Sequence, residues 1–189
     1  MTGIRSISHI ALGGNLPSDV GSPRFTLSAA ISRLSDHGMV IRAISRFFST
    51  PCFPPGAGPD YVNAAVTVEY DGSAQQLLQE LHDVEASFQR VRDQRWGMRT
   101  LDLDVLSFGD RVCPDLAGYE AWLNLPPEEQ VKATPDQLIL PHPRLQDRAF
   151  VLVPLNDIAP NWRHPVLGKT VRDMLEALPE AESREVVPI

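Results

Sequence analysis

The 189-residue chain, 43% hydrophobic and 22% charged, has the size and composition of one globular domain. Its formal net charge of −7 argues against a general nucleic-acid-binding protein, so any anion site must be a local cluster of arginines. The two cysteines form no C-x-x-C motif, and neither a signal-peptide pattern nor a membrane-length apolar run is present, so we expect a cytoplasmic protein in a reducing compartment.

The first part of the chain predicts alternating strands and helices. Residues 6–12 form a β-rich apolar run that ends at the glycine pair 13–14, which is either a plain turn or a backbone cradle for phosphate. A Ser-Pro pair opens, and a glycine closes, a predicted helix over residues 22–38. Residues 40–50 then predict a second strand.

Residues 51–59 are rich in proline and glycine, which predicts an irregular loop that either joins two strands or binds a ligand. Residues 61–70 alternate between apolar and polar, which predicts a strand with Tyr61 and Asn63 on one face. An aromatic ring and an amide beside the loop could stack on and read a flat heterocycle. A solvated strand face explains these two residues equally well.

Residues 73–92 give the clearest predicted helix, because a capping box opens it and apolar residues recur at helical spacing. Its last turn carries Arg90 and Arg92. These arginines could simply favour the helix dipole, or they could point with Arg95 and Arg99 into one anion site.

The segment R-W-G-M-R-T-L-D-L-D-V-L-S-F at residues 95–108 carries the strongest chemical signal. Asp102 and Asp104 alternate with apolar residues, so both carboxylates lie on one strand face, roughly 6.6 Å apart along it. Such a pair can hold one hard cation or bridge two, and Arg95 and Arg99 just upstream could bind polyphosphate. A polar outer face is the simpler explanation of a bare D-x-D, but the flanking W-G-x-R-T motif favours a site for metal and phosphates.

The predicted core order is β-α-β-β-α-β, which is the ferredoxin-like order of the α+β class. We therefore expect an antiparallel sheet with helices on one face, plus a C-terminal extension, in a single domain over residues 1–189. Residues 110–137 have no sustained period and indicate an insertion with one short helix. We expect a last short helix over residues 170–178 and a loose tail over residues 180–189.

A second group of candidate phosphate ligands lies in the segment L-I-L-P-H-P-R-L-Q-D-R-A-F-V-L-V-P-L. His142 stands between two prolines, which stiffen the backbone and favour a side chain that is presented rather than packed. Arg144 and Arg148 follow at a helical interval. A lone histidine is usually structural, but two nearby arginines in an acidic protein make a phosphate contact a serious alternative.

Taken together, four segments resemble the 6-hydroxymethyl-7,8-dihydropterin pyrophosphokinase family of folate biosynthesis. They are A-L-G-G-N-L (11–16), D-Y-V-N-A-A-V (60–66), R-V-R…R-W-G-M-R-T-L-D-L-D-V-L (90–106) and P-H-P-R-L…R-A-F-V-L-V-P-L (141–155). The resemblance implies transfer of pyrophosphate from ATP to the hydroxymethyl oxygen of the pterin, with release of AMP. It also implies two Mg²⁺ ions and small-molecule substrates. We further expect no nucleic-acid or membrane partner, and a monomer.

The resemblance further implies roles for individual residues. Asp102 and Asp104 would hold the metal ions. The catalytic residues would be Arg90, Arg92, Arg99, Asp102 and Asp104. ATP would be contacted by Glu85, Arg92, Trp96, Arg99, His142 and Arg148, with Trp96 in a loop that closes. The pterin would be surrounded by Thr50, Pro51, Phe53, Tyr61, Asn63, Trp96 and Phe150, with the rings of Tyr61 and Phe150 on either side of it.

Several positions depart from the family pattern, namely Cys52, Phe53, Met98, Gln137 and Ile139. Two rival functions remain. A metal-dependent nucleotidyltransferase also combines a glycine turn with D-x-D, although its glycines usually lie closer to the carboxylates in sequence. A non-catalytic ferredoxin-like binding module is the other rival, and it would need neither the arginine cluster nor the paired carboxylates.

Overall fold

The computed structural model describes residues 5–52, 56–88, 99–130, 133 and 135–189. Its strands are β1 (Ser6–Gly14), β2 (Val40–Ile44), β3 (Phe48–Thr50), β4 (Tyr61–Tyr70), β5 (Asp102–Phe108) and β6 (Val187–Pro188). Its helices are α1 (Pro23–Asp36), α2 (Ala74–Ser87), α3 (Leu116–Leu123), α4 (Pro127–Gln130), α5 (Ala149–Ile158), α6 (Val171–Glu176) and α7 (Glu180–Arg184). Within these ranges no helix is long and apolar enough to cross a membrane.

The strands form an antiparallel sheet in the order β5-β1-β4-β3-β6, with β2 paired to β4 beside β3. On one face, Ile10 and Leu12 of β1 and Leu103 of β5 pack against Leu27 of α1 and Leu77 of α2. Burial of each such side chain contributes about 1.5–3 kcal/mol. The predicted ferredoxin-like core, with an antiparallel sheet and both core helices on one face, is therefore confirmed.

The helix predicted over residues 73–92 is α2, and the structure confirms it as far as Ser87. Ser73 Oγ accepts the Gln76 N–H at 3.2 Å, and Gln76 Oε1 accepts the Ser73 N–H at 2.8 Å. The predicted capping box is thus present, and it satisfies two N–H groups at the helix start. Residues 89–98 lie outside the described part of the chain.

The single strand predicted over residues 40–50 is wrong, because the structure has two strands, β2 and β3. At the break, Ser45 Oγ accepts the Ala65 N–H at 2.8 Å, in place of the carbonyl of a regular ladder. Arg46 turns to Asp157 of α5, with 2.8 Å between guanidinium and carboxylate. Both contacts come from partners far away in sequence, so the local pattern could not reveal the break.

The C-terminal extension covers the opposite face of the sheet with α5 and α6. Leu152 and Leu155 of α5 pack with Met174 of α6 against Leu106 of β5. No helix was predicted over α5, which contains Pro154, and proline usually interrupts a helix. The short helix predicted over residues 170–178 is confirmed as α6. The extension therefore adds a second helical layer to the predicted core.

The segment 110–137 contains two helices, α3 and α4, where the sequence predicted one. Tyr119 of α3 is fully buried, and its hydroxyl lies 3.0 Å from His164 Nε2. His164 Nδ1 accepts the N–H groups of Val166 and Leu167, so the proton resides on Nε2 and is donated to the Tyr119 oxygen. This buried hydrogen bond ties the segment to the C-terminal extension.

The loose tail predicted over residues 180–189 is wrong, because this segment forms α7 and β6. β6 pairs antiparallel with β3, with Ser49 opposite Val187. Val186 is buried in a small apolar cluster with Phe48 and Ala149. A two-residue strand carries no recognisable period, and its order depends on a partner that lies far away in the sequence.

Candidate active site

The candidate site lies on the sheet face that the C-terminal extension covers, at the end of β1. Gly13 of β1 is paired with Asn63 of β4 on one side and with Asp102 of β5 on the other. In the next such row Ala11 stands opposite Asp104. Since directly paired residues point to the same face, the amide and both carboxylates share one surface, as the alternation predicted.

Gly13 keeps the middle of this row open. A Cβ at this position would lie only 3.1 Å from Asn63 Oδ1, so any side chain would press on the amide. Neighbouring strands are about 4.8 Å apart, so Asn63 and Asp102 stand roughly 10 Å apart across the glycine. That opening can admit a small substrate group between an amide and a carboxylate.

The two aspartates form the acidic part of the site. Both are half-buried, and the Arg99 guanidinium forms an ion pair with Asp102. Among the described residues no cluster of three or more metal-ligating side chains occurs. Mg²⁺ is usually held by one or two carboxylates and completed by phosphate oxygens and water, so this donor set fits Mg²⁺ bound together with a polyphosphate.

His142 is held against β5 as a neutral hydrogen-bond donor. Its backbone N–H donates to the Leu106 carbonyl at 2.9 Å, and its ring Nδ1 accepts the Arg144 backbone N–H at 3.1 Å. Burial, and secondarily the charge of Arg148, lower the pKa of His142 to about 3. The proton of the neutral ring therefore resides on Nε2, where it can be offered to an anion. His142 is half-buried, so its side chain is less exposed than the flanking prolines predicted.

Arg148 lies at the start of α5, next to the acidic pair. Burial lowers the pKa of Arg148, whereas the negative charges of Asp104 and Asp102 raise it. Its guanidinium carbon lies 5.7 Å from the centre of the Phe150 ring. The first turn of α5 thus presents a cation and an aromatic ring together, and the Phe150 side chain is 43% exposed.

The predicted pterin-binding residues of the sheet also lie together. Thr50 is paired with Tyr61, and Asn63 Nδ2 donates to Thr50 Oγ1 at 2.8 Å. Burial and then Cys52 raise the pKa of Tyr61, while Arg99 opposes this shift and Asp102 adds to it. The pKa of Tyr61 therefore depends on the charges of Arg99 and Asp102 in the acidic part of the site. Pro51 follows Thr50 directly and is exposed.

Glu85 occupies a different position from the other predicted ATP ligands. It is 1% exposed, and its Oε1 accepts the Leu103 N–H at 2.7 Å. This contact joins α2 to β5 between the two aspartates. The observed contact is structural, and an additional contact with ATP stays a prediction.

Five predicted site residues lie outside the described part of the chain: Phe53, Arg90, Arg92, Arg95 and Trp96. The same holds for Met98, one of the departures from the family pattern. Of the other departures, Cys52 and Ile139 are buried and Gln137 is exposed.

Sequence reasoning missed Asn15, which follows the glycine pair and is 1% exposed. The N–H groups of Asn15 and Leu16 both donate to the Arg99 carbonyl, at 2.9 and 3.0 Å. These two donors are therefore used within the protein, which argues against a phosphate cradle at this turn. The signal available in the sequence was an asparagine directly after two glycines.

Comparison with known proteins identifies the family. The family model described as 7,8-dihydro-6-hydroxymethylpterin-pyrophosphokinase (HPPK) matches residues 9–160. A Synechocystis protein named 2-amino-4-hydroxy-6-hydroxymethyldihydropteridine pyrophosphokinase is 37% identical over 168 residues, covering 88% of this chain and 73% of that protein. A Pseudomonas aeruginosa protein of the same name is 35% identical over 174 residues, covering 90% of this chain and 91% of its own.

A solved structure supports the fold independently. The wild-type Plasmodium falciparum HPPK-DHPS chain superposes with a TM-score of 0.62 at 15% sequence identity, over 92% of this chain and 44% of that one. This chain therefore spans less than half of that longer protein. The match in sequence and fold agrees with the motifs quoted above, and the chain belongs to the 7,8-dihydro-6-hydroxymethylpterin pyrophosphokinase family.

Proposed function

We propose that this protein transfers pyrophosphate from ATP to the hydroxymethyl group of 6-hydroxymethyl-7,8-dihydropterin and releases AMP, as a step of folate biosynthesis. The observation that carries the proposal is the row in which Asn63 and Asp102 face each other across Gly13. One side of the row suits the polar edge of a pterin. The other side suits a metal-bound polyphosphate, so the acceptor hydroxyl would lie beside the phosphates.

In this proposal Asp102 and Asp104 hold Mg²⁺, with two ions as the expected number. When bound, Mg²⁺ would offset the negative charge of the triphosphate. Arg99 already pairs with Asp102, so a bound polyphosphate would offer its guanidinium a second anion.

The nucleotide side would use two groups of different charge. His142 is neutral and would donate its Nε2–H to a phosphate oxygen, so its contribution would not depend on protonation near neutral pH. Arg148 would contribute a full positive charge next to Asp104. By family resemblance, Arg90, Arg92 and Trp96 would complete this side.

The pterin side would depend on a pre-formed hydrogen bond. Asn63 is fixed by Thr50, and this contact leaves its Oδ1 directed over Gly13. Tyr61 and Phe150 would supply the aromatic surfaces for stacking. The hydroxyl oxygen would attack the β-phosphorus in line, the bond between the β-phosphorus and the bridging oxygen to the α-phosphate would break, and the hydroxyl proton would pass to solvent.

Among the described residues none stands out as a general base. Phosphoryl-type transfer depends mainly on positioning and on electrostatic stabilisation, so a dedicated base is not required. The site supplies positioning through Asn63 and Thr50, and charge through Asp102, Arg99 and Arg148.

The test is AMP formation from ATP and Mg²⁺, with and without 6-hydroxymethyl-7,8-dihydropterin, followed by mass spectrometry of the pterin product. We expect AMP only when the pterin is present, together with one pyrophosphorylated pterin per AMP. Release of inorganic pyrophosphate would instead indicate nucleotidyl transfer. Folded protein that binds ATP and pterin without turnover would indicate a binding module.

A further inference from the structure

We propose that Asn15 is a positioning residue that aligns the phosphate side of the site, at Arg99, with the pterin side, at Pro59. The inference rests on the proposed function, because it names the residue that connects the two substrate regions of that same site. Asn15 itself is buried and is not proposed to contact either substrate.

The Asn15 side chain makes one hydrogen bond to each side. Its Oδ1 accepts the Arg99 N–H at 2.9 Å, and its Nδ2 donates to the Pro59 carbonyl at 3.1 Å. The Asn15 backbone N–H also donates to the Arg99 carbonyl. The backbone N–H and the backbone carbonyl of Arg99 are therefore both bound by the turn at the end of β1.

The preceding glycine allows this close approach. A Cβ at Gly14 would lie 2.5 Å from the Thr100 carbonyl oxygen, a distance that no side chain can adopt. The G-G-N motif thus has three separate tasks. Gly13 clears the space beside Asn63, Gly14 admits the segment at Thr100, and Asn15 binds that segment.

Each partner of Asn15 lies close to a residue of the proposed site. Arg99 forms the ion pair with Asp102, so the position of its backbone sets the reach of its guanidinium. Pro59 is followed by Asp60 and Tyr61, where β4 begins. A change at Asn15 would therefore alter the distance between the two substrate regions without removing any group that touches a substrate.

Only an amide serves both partners at this length. An aspartate would still accept the Arg99 N–H, but its carboxylate would face the Pro59 carbonyl with no proton to donate. The protonated carboxyl could donate to that carbonyl and restore the second bond. Asn15→Asp should therefore lose function at high pH and recover it as the pH falls.

We would measure kcat and KM for ATP and for the pterin from pH 5.5 to 8.5 in the wild-type protein, Asn15→Asp and Asn15→Ala. At pH 8 we expect kcat/KM to fall about 10- to 100-fold in both variants, as for a buried polar group left without its partner. Toward pH 5.5 we expect Asn15→Asp to approach the wild-type value at the same pH, while Asn15→Ala stays low.

A matched control is Asn124→Asp, the same chemical change at the exposed asparagine that follows the last residue of α3, which should leave every profile unchanged. Among the described residues, the charged and titratable groups within four positions of Asn15 or of its partners Arg99 and Pro59 are Asp19, Arg99, Asp102, Asp60 and Tyr61. They are the same in both Asn15 variants, so the comparison of Asn15→Asp with Asn15→Ala at each pH removes their contribution.

The result that overturns the inference is wild-type kcat/KM in Asn15→Asp at pH 8, or a deficit in Asn15→Asp that is the same at all pH values. If Asn15→Asp does not fold at pH 8, Asn15→Ser takes its place, because it removes both side-chain hydrogen bonds without burying a charge. Wild-type kinetics in folded Asn15→Ser would overturn the inference. An inactive wild-type protein would refute the proposed function instead, so the two failures are distinguishable.

Discussion

Two rows of polar residues lie on the same face of the sheet and differ in what covers them. At one end of β1, Gly13 stands between Asn63 and Asp102. Roughly 13 Å further along β1, His9 stands between Thr67 and Ser107. In sequence both rows appear as polar residues alternating with apolar ones.

The second row is sealed. His9 is 4% exposed, its Nδ1 lies 3.1 Å from Thr67 Oγ1, and the Trp162 ring packs edge-on at 5.5 Å between ring centres. Burial lowers the pKa of His9 to about 4. The first row remains partly open, because Asp102 is only half-buried. The difference teaches that alternation selects the face, whereas the covering layer decides whether polar residues on it can meet a ligand.

The strongest test of this comparison alters Asp104, the carboxylate that stands opposite Ala11 in the row next to the open one. Asp104→Asn keeps the size of the side chain but removes a metal-binding charge, so we expect kcat to fall about 10²- to 10³-fold with little change in thermal stability. The matched control on the same strand is Ser107→Ala in the sealed row. Its hydroxyl has no hydrogen-bond partner in the described structure, so its loss should leave AMP formation unchanged. Near-normal turnover in Asp104→Asn would refute the metal site.

The opposite outcome is expected at the sealed row. Trp162→Ala removes the ring that covers His9 and His164, so we expect a loss of about 2–3 kcal/mol in the free energy of unfolding, as for a large partly buried aromatic residue. Urea unfolding measures this loss. The kcat of the folded variant should be normal, and a large fall in kcat would mean that the sealed row contributes to the site.

The buried histidines beside Trp162, His9 in the sealed row and His164, predict that acid lowers the stability of the protein. The folded-state pKa values of His9 and His164 are about 4, below the ordinary value of 6.5. The unfolded chain therefore binds more protons between these limits, so stability is complete above pH 6.5 and is lost as the pH falls toward 4. Each histidine contributes at most about 1.4 kcal/mol per pH unit. Urea unfolding at pH 7, 6 and 5 measures the slope, which His9→Gln should reduce by about one proton. An unchanged slope in that variant would contradict the assignment.

The smallest expected effect concerns Phe150, the exposed aromatic residue in the first turn of α5 that is proposed to stack on the pterin. Phe150→Ala should raise the Kd of the pterin about 10-fold, equivalent to about 1.4 kcal/mol of stacking, and barely alter stability, because the ring is 43% exposed. Phe25→Ala is the matched control, since that ring is 65% exposed on α1. Pterin titration by fluorescence or calorimetry separates the two variants. Equal affinities would remove Phe150 from the pterin site.

The sequence predicted those features that arise from local periodicity or local capping. The strand over residues 61–70 alternates over its whole length, and the structure reproduces it without a shift. The capping box at Ser73 is a contact between near neighbours and was visible in the same way. The faces of Asp102 and Asp104 followed directly from strand geometry.

The features that were missed depend on partners far away in the sequence. α5 contains Pro154, and its order comes from packing on the sheet rather than from helix propensity. The neutral state of His142 depends on burial by the folded chain and on the charge of Arg148. Asn15 bonds to segments at Arg99 and Pro59 that no local pattern connects to it.

The pairing of β6 with β3 has a consequence for how copies of this protein behave toward one another. A strand at the edge of a sheet is a template for pairing with another chain. Here Val187 and Pro188 occupy the outer side of β3, and Pro188 has no N–H to offer a further strand. We therefore expect β6 to hinder edge-to-edge aggregation through β3, the strand that carries Thr50.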